Sequence, residues 1–306
     1  MRLFWGILGA LLAWIAMAAA AQAQNGLERF EREVKPQIEV EKFTYASAQP
    51  LGASGFVLKD VVVVMPANAA TGNKTSTLKI DKVTVFEVDF DRLKTKDSDE
   101  FPRFARMKLE GMTGDDDAFA SLATYGIPKV PVDITIDYRL DPAAKVFTLN
   151  VLEVSLRDQG RFTLAFVMDG ISEKTSDVAA TPDQGRLRNA SLTVDDQGLI
   201  AKLLPSVAKA QGTTADGIVA LALSTLEAFT SGQGEETLKM LDAIASFVGD
   251  WKAPKGMLTV GLKPAQTASF ADIIRVLEPN ALVTVFGFSA SYSGTRPGAA
   301  KAAAAK

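Results

Sequence analysis

Residues 131–140 show a strict alternation of apolar and polar side chains. A period of two with one polar face is typical of a β-strand that has one face in solvent. The segment therefore predicts a strand of an antiparallel sheet. Its apolar positions are Val132, Ile134, Ile136, Tyr138 and Leu140, and its polar positions are Asp133, Thr135, Asp137 and Arg139.

Two more predicted strands follow after short turns. The first covers residues 146–157, and its apolar positions change parity between Val151 and Leu152, which predicts a bulge. The Asp-Gln-Gly tripeptide at residues 158–160 predicts the next turn, with its glycine at the position of positive φ. Residues 161–170 are apolar on both faces, so we expect a central strand that is covered on each side. Three strands joined by short turns make a meander.

Less regular apolar runs predict further strands on either side of this meander. A run of four valines before Pro66 favours strand over buried helix, because β-branched side chains suit a strand and a proline follows. A short helix is predicted at residues 118–125, before Gly126 and Pro128. The further strands are expected at residues 37–47, 56–65, 77–90, 104–113, 187–194 and 257–262.

The last third of the chain has the spacing of amphipathic helices. Asp195 and Asp196 precede this region and are expected to cap its first helix. The sequence thus predicts an α+β fold, in which an antiparallel, curved meander sheet is followed by a helical layer. Helices are predicted at residues 198–209, 215–230, 235–251 and 270–277, and residues 279–286 could form helix or strand.

The first 23 residues have the features of an export signal. Arg2 is followed by an apolar run over residues 3–21, and Ala21-Gln22-Ala23 fits a small-x-small cleavage site. An uncleaved membrane anchor is the alternative, since such a run is long enough to span a bilayer. Both interpretations place the rest of the chain in a bacterial periplasm. The expected organisation is a signal peptide (1–23), a β-rich region (24–194), a helical region (195–290) and a low-complexity tail (291–306).

The amino-acid composition excludes several kinds of catalytic and metal-binding site. The chain contains no cysteine and no histidine, which excludes disulfides, thiolate nucleophiles, zinc sites built on these residues, and Ser-His-Asp triads. We expect no cofactor. The 33 basic and 36 acidic residues give a net charge of -3, which argues against a nucleic-acid partner.

Carboxylates are the remaining groups that could act in catalysis or bind a metal. Asp115, Asp116 and Asp117 stand together, but adjacent residues on a helix do not converge on one point, and no EF-hand spacing surrounds them. We therefore expect no metal site. A hydrolase would need two carboxylates that face each other across a cleft, a geometry that the sequence does not specify.

A run over residues 136–171, IDYRLDPAAKVFTLNVLEVSLRDQGRFTLAFVMDGI, resembles segments of AsmA-like and YdgA-like bacterial envelope proteins. Residues 192–204, LTVDDQGLIAKLL, are similar to the start of the helical segment in secreted proteins of α-proteobacteria. AsmA-like proteins are linked to envelope lipid homeostasis, so the resemblance implies a lipid-facing role. It implies no catalytic residues, and this chain departs from it because it is short and its final third is helical.

Apolar residues of the predicted sheet and helices suggest a ligand site. A sheet with one apolar face under amphipathic helices can hold a lipid tail where the helices leave space. We expect a periplasmic, non-enzymatic protein that binds a lipid or another apolar ligand, or that supports envelope maintenance. The alternatives are a scaffold for another envelope protein and a carboxylate-dependent hydrolase. The expected groove residues are Phe147, Leu149, Phe162 and Phe166 on the sheet, and Leu238, Leu241, Ile244 and Trp251 on the helices.

Overall fold

A computed structural model gives the fold of the chain. The signal peptide, the predicted helices at residues 118–125 and 270–277, and the tail beyond residue 293 lie outside the described residues. No helix in the described ranges is long and apolar enough to cross a membrane. The structure describes residues 25–68, 74–93, 99–115, 126–127, 129–174, 185–269 and 279–293.

The described residues contain eleven β-strands, all in one antiparallel sheet. They are β1 Lys42–Thr44, β2 Ser47–Leu51, β3 Gly55–Asn68, β4 Lys74–Val88, β5 Phe104–Gly114, β6 Val132–Asp141, β7 Val146–Leu156, β8 Gly160–Asp169, β9 Arg186–Asp196, β10 Met257–Leu262 and β11 Ser289–Ser293. Their order is β1-β3-β4-β5-β6-β7-β8-β9-β10-β11, and β2 also pairs with β3. From β3 to β9 each strand pairs with the next one in the chain, which confirms the predicted meander.

Helices precede the first strand, and the longest helices lie between β9 and β10 in the chain. The first helix continues through a π-helical turn, Phe30–Val34, and a 3₁₀ turn, Lys35–Gln37. We call residues 26–37 the N-terminal cap. After β9, three longer helices form the predicted helical layer before β10 rejoins the sheet. The helices are α1 Gly26–Arg29, α2 Phe90–Leu93, α3 Leu199–Ala210, α4 Ala215–Ala228, α5 Glu235–Gly249 and α6 Pro279–Thr284.

The strand register gives the sheet one apolar and one polar face, because directly paired residues project from the same face. One apolar row crosses eight strands as Val83, Leu109, Ile134, Val154, Phe162, Val194, Leu258 and Tyr292. A neighbouring apolar row is Val85, Met107, Ile136, Leu152, Leu164, Leu192, Val260 and Ala290. Between them, the opposite face carries Thr84, Lys108, Thr135, Glu153, Thr163, Thr193, Thr259 and Ser291. The alternation of residues 131–140 thus extends across the sheet.

The N-terminal cap packs over one end of the apolar face, on β2 to β5, and encloses a core. Phe30 stacks on Phe56 with ring centroids 4.5 Å apart. The cap also approaches the backbone, since a Cβ on Gly26 would lie 2.4 Å from Gly55. The buried residues of this core are Phe30, Phe56, Leu58, Val61, Ile80, Val85, Val88, Phe90 and Ala105.

Helix α5 covers the other end of the same face. It packs against β10 and β11, and the ring of Phe247 meets that of Tyr292 with centroids 5.7 Å apart. The Tyr292 hydroxyl donates to the Asp250 carboxylate at 3.0 Å, and Lys255 Nζ donates to the same carboxylate at 2.7 Å. Helix α4 packs on α5 and α3 packs on α4, so α5 joins the helical layer to the sheet.

The N-terminal end of the sheet differs from the sequence prediction. The strand predicted over residues 37–47 is wrong, because the N-terminal cap reaches Gln37 and two short strands follow it. Asp60 on the facing strand has a φ of 53°, which interrupts the pairing of β3 opposite the gap between β1 and β2. Phe90 was expected to end a strand, but it begins α2 and belongs to the core.

Three details of the meander and its return can also be compared with the prediction. The bulge is confirmed, since Asn150 is an extra residue between the pairs made by Leu149 and Val151. In the turn after β7, Asp158 and not Gly160 takes the positive φ, at 58°. Glycine is still favoured at residue 160, because a Cβ there would lie 3.1 Å from the Asp195 carbonyl oxygen. The return of β10 to the sheet is confirmed, whereas β11 was not predicted.

Candidate functional site

The middle of the apolar face, on β6 to β9, lies between the N-terminal cap and α5. We call this strip the central apolar face. Its side chains are only partly buried, and Leu192 is 39% exposed, whereas Leu58 beneath the N-terminal cap is 1% exposed. Residues 162–169 of β8, which was expected to be covered on both sides, are partly buried on both faces, so this cover is incomplete. The central apolar face comprises Ile134, Ile136, Leu152, Val154, Phe162, Leu164, Leu192 and Val194.

A cluster of four aromatic rings borders the central apolar face. Tyr138 stacks on Phe147 with centroids 5.5 Å apart, and Phe147 contacts Phe166 at 5.7 Å. Phe101 joins the cluster at 5.4 Å from Tyr138. Leu149, which is buried, pairs with both Tyr138 and Phe166 across the strands. Burial raises the pKa of the Tyr138 phenol to about 12, and the nearby Asp89 carboxylate adds to this effect.

All four sheet residues of the predicted groove thus lie on the apolar side. Phe162 belongs to the central apolar face, and Phe147, Leu149 and Phe166 lie next to it. Sequence reasoning missed Tyr138 and Phe101 as partners of these rings. Tyr138 could have been found from its place in the alternating segment, but Phe101 lies outside the strands, and only tertiary packing brings it to the cluster.

The four helical residues of the predicted groove lie elsewhere. Leu238 and Leu241 line a groove between α4 and α5, and Trp251 lines a second groove shared with α3. Ile244 is one turn before Phe247, on the side of α5 that contacts β11. Since α5 packs on β10 and β11, the structure does not bring these residues over β7 and β8 to form one groove with the sheet residues.

The two grooves of the helical layer are lined mainly by apolar side chains. The α4–α5 groove has a volume of about 350 Å³ and is lined by Leu223, Leu226, Glu227, Thr230, Leu238, Leu241, Asp242 and Ala245. The second groove, of about 210 Å³, is lined by Ile200, Leu204, Ile218, Val219, Ala222, Phe247, Val248 and Trp251. Helix α4 contributes to both grooves, and it has no fully buried residue.

Two Asp-Gln-Gly tripeptides meet where β9 leads into α3. The Gln197 N–H donates to the Gln159 carbonyl oxygen at 2.8 Å. The Asp196 carboxylate accepts N–H bonds from Gly198, Leu199 and Ile200 at 3.1, 2.8 and 3.2 Å, which confirms that it caps α3. The neighbouring Asp195 carboxylate accepts a bond from the Gln197 side chain at 2.9 Å. These buried acidic residues therefore have a structural role.

Of the three adjacent aspartates at residues 115–117, only Asp115 lies within the described residues. This carboxylate and those of Glu100 and Glu110 have structural contacts. Asp115 accepts a hydrogen bond from the Thr77 N–H at 2.7 Å, and Glu100 forms an ion pair with Arg92 at 3.2 Å. Hydrogen bonds from Lys108 and Lys82 hold the pKa of Glu110 below its usual value. In the part of the chain that the structure describes, no group of three acidic side chains has the geometry to hold a metal ion.

Comparison with known proteins adds one match. A family model described as "Uncharacterized protein" matches residues 153–293, from within β7 to the end of β11. A search of curated proteins finds no match. The matched stretch contains β8 and β9 of the central apolar face and the whole helical layer, but it excludes the N-terminal cap.

Proposed function

We propose that this protein binds a lipid or another apolar ligand on its central apolar face, as a non-enzymatic protein of the bacterial periplasm. One observation carries the proposal: two adjacent apolar rows continue across β6 to β9, where the side chains are only partly buried. Contiguous apolar surface that the fold leaves partly exposed is typical of a ligand-binding or interaction surface.

The dimensions suit an acyl chain. Four strands spaced about 4.8 Å apart give a strip roughly 15 to 20 Å wide. Half of the hydrocarbon core of a bilayer, about 15 Å, is the length spanned by one lipid tail. An acyl chain laid across the strands would contact Ile136, Leu152 and Leu164, with the rings of Phe147 and Phe166 beside it.

The experiment compares two neighbouring residues of β8 that face opposite sides of the sheet. Leu164→Asn places an amide on the central apolar face, whereas Thr163→Asn makes the matched change on the polar face. The chain is expressed from Met1 in a Gram-negative host and purified without detergent. Native mass spectrometry then reads the retained ligand, and the mass of the chain shows whether residues 1–23 have been removed.

We expect a retained lipid that Leu164→Asn reduces several-fold and Thr163→Asn leaves unchanged. Binding of a fluorescent long-chain fatty acid to the delipidated protein gives a second readout, which does not depend on the lipids of the host. The proposal fails if the fatty acid does not bind, or if both variants bind it as tightly as the unmodified chain does. Far-ultraviolet circular dichroism of each variant shows that the fold is kept.

A further inference from the structure

The α4–α5 groove lies in the helical layer, apart from the central apolar face, and has a different chemistry. Its floor is formed by leucines, and Leu238 is 40% exposed at its edge. Glu227 on α4 and Asp242 on α5 are exposed and also line the groove. Within the described ranges, neither of these carboxylates has a hydrogen-bond or ion-pair partner. The groove therefore combines an apolar floor with two free negative charges.

The surrounding helices are also acidic. Together α4 and α5 carry five acidic side chains and one basic one, Lys239. Lys239 already pairs with Glu235 and Glu236, at 2.8 and 2.9 Å, so it does not neutralise the groove. An acidic border disfavours fatty acids and anionic lipids, and it favours a partner with positive charge beside an apolar surface.

From this geometry we propose that the α4–α5 groove binds an amphipathic helix of a partner protein, with basic residues flanking its apolar stripe. The groove runs between two helices joined by a short connection, so a third helix can pack along it. Its lining residues on α5 extend from Leu238 to Ala245, about 10 Å or two helical turns. A volume of about 350 Å³ takes a few large aliphatic side chains from the partner.

The test uses two synthetic peptides of about 16 residues, long enough to form a helix on binding. Both carry leucines at helical spacing; one has lysines beside the leucines and the other has glutamates at the same positions. Fluorescence anisotropy measures the binding of each labelled peptide to the purified full chain. We expect the lysine peptide to bind at least about tenfold more tightly than the glutamate peptide.

Two double variants make the same change in charge. Glu227→Lys with Asp242→Lys is expected to weaken the lysine peptide about tenfold or more and to reverse the preference. Glu235→Lys with Glu236→Lys is the matched control outside the groove, and it should leave the preference unchanged. Leu238→Gln should weaken both peptides, since it places a polar group at the edge of the apolar floor.

Three results would overturn the proposal. The first is equal affinity of the unmodified chain for the two peptides, and the second is an equal loss of binding in both double variants. The third is a chain that binds neither peptide but sediments with vesicles containing a cationic lipid. In that case Glu227→Lys with Asp242→Lys would abolish the sedimentation of the chain with the vesicles. That outcome would assign the groove to a membrane surface. Leu164→Asn, on the central apolar face, should not affect peptide binding. The failure of one proposal can therefore be told apart from the failure of the other.

Discussion

Two regions of the same sheet face have similar sequence patterns and different burial. At the N-terminal end, Leu58 is 1% exposed beneath the N-terminal cap. In the centre, Leu164 has apolar cross-strand partners on both sides, Leu152 and Leu192, yet it stays partly exposed. Both regions present a continuous row of apolar side chains on this face, so the difference in burial comes from what packs above the strands.

This difference separates a structural core from a surface that can accept a ligand. Covered side chains such as Phe56 already have aromatic partners, Phe30 and Phe90, and leave no room for another molecule. The side chains of the central apolar face have cross-strand neighbours but incomplete cover in the described part of the chain. An apolar ligand that removes these partly exposed side chains from water lowers the free energy of the complex.

The largest expected effect comes from truncating one leucine in each region. We expect Leu58→Ala to lower the free energy of unfolding by about 3 kcal/mol, because it leaves a cavity in a packed core. Leu164→Ala should cost about 1 kcal/mol or less in the ligand-free protein, because the side chain is already partly solvated. Urea unfolding measures both values. Equal losses of unfolding free energy would mean that the two regions are packed alike, which would contradict the distinction between a core and a ligand surface.

The next effect tests the N-terminal cap itself. A Cβ added to Gly26 would lie 2.4 Å from backbone atoms of Gly55, so Gly26→Ala must push the cap away from the sheet. We expect a loss of about 2 kcal/mol in unfolding free energy. Gly249→Ala is the matched control, since a Cβ there meets no atom within 4 Å, and it should leave stability unchanged or slightly higher. A neutral Gly26→Ala would show that the cap is held loosely.

Most strands of the sheet could be predicted from the sequence, because the pattern that predicts a strand depends only on neighbouring residues. The alternation of residues 131–140 and the parity change at Val151 and Leu152 each follow from the order of neighbouring side chains. These patterns say which face of a strand is apolar. They do not say how closely another segment packs on that face, and for this reason the incomplete cover of β8 could not be predicted.

The N-terminal cap and the helical half of the site depend on contacts between distant segments. The cap had a local signal that was missed: Asn25 caps the first helix by accepting from the Glu28 N–H at 3.0 Å, and Leu27, Phe30 and Val34 follow at helical spacing. By contrast, nothing in the pattern of α5 shows that it packs on β10 and β11 and not on β7 and β8. The four helical residues of the predicted groove therefore lie apart from its four sheet residues.

The smallest expected effect concerns Tyr138, which lies between the two regions. Its ring contacts the aromatic cluster, and it also packs against the buried core beneath the N-terminal cap. Burial, followed by the Asp89 carboxylate, raises the pKa of its phenol from 10.0 to about 12. The folded state therefore holds the Tyr138 proton more tightly than the unfolded chain does. Its contribution to stability is complete below pH 10.0 and is lost as the pH rises through about 12.

Tyr138→Phe keeps the ring and removes this titration. We expect the unmodified chain to lose about 1 kcal/mol more than the variant between about pH 9 and pH 12, a value reduced for the partial exposure of the ring. Phenolate absorbance during an alkaline titration, compared between the two proteins, gives the pKa of Tyr138 directly. A value near 10.0 would show that the phenol is solvated, and that the aromatic cluster belongs to the open region of the apolar face. A value near 12 would extend the packed region as far as β6 and place the boundary of the ligand surface at Tyr138.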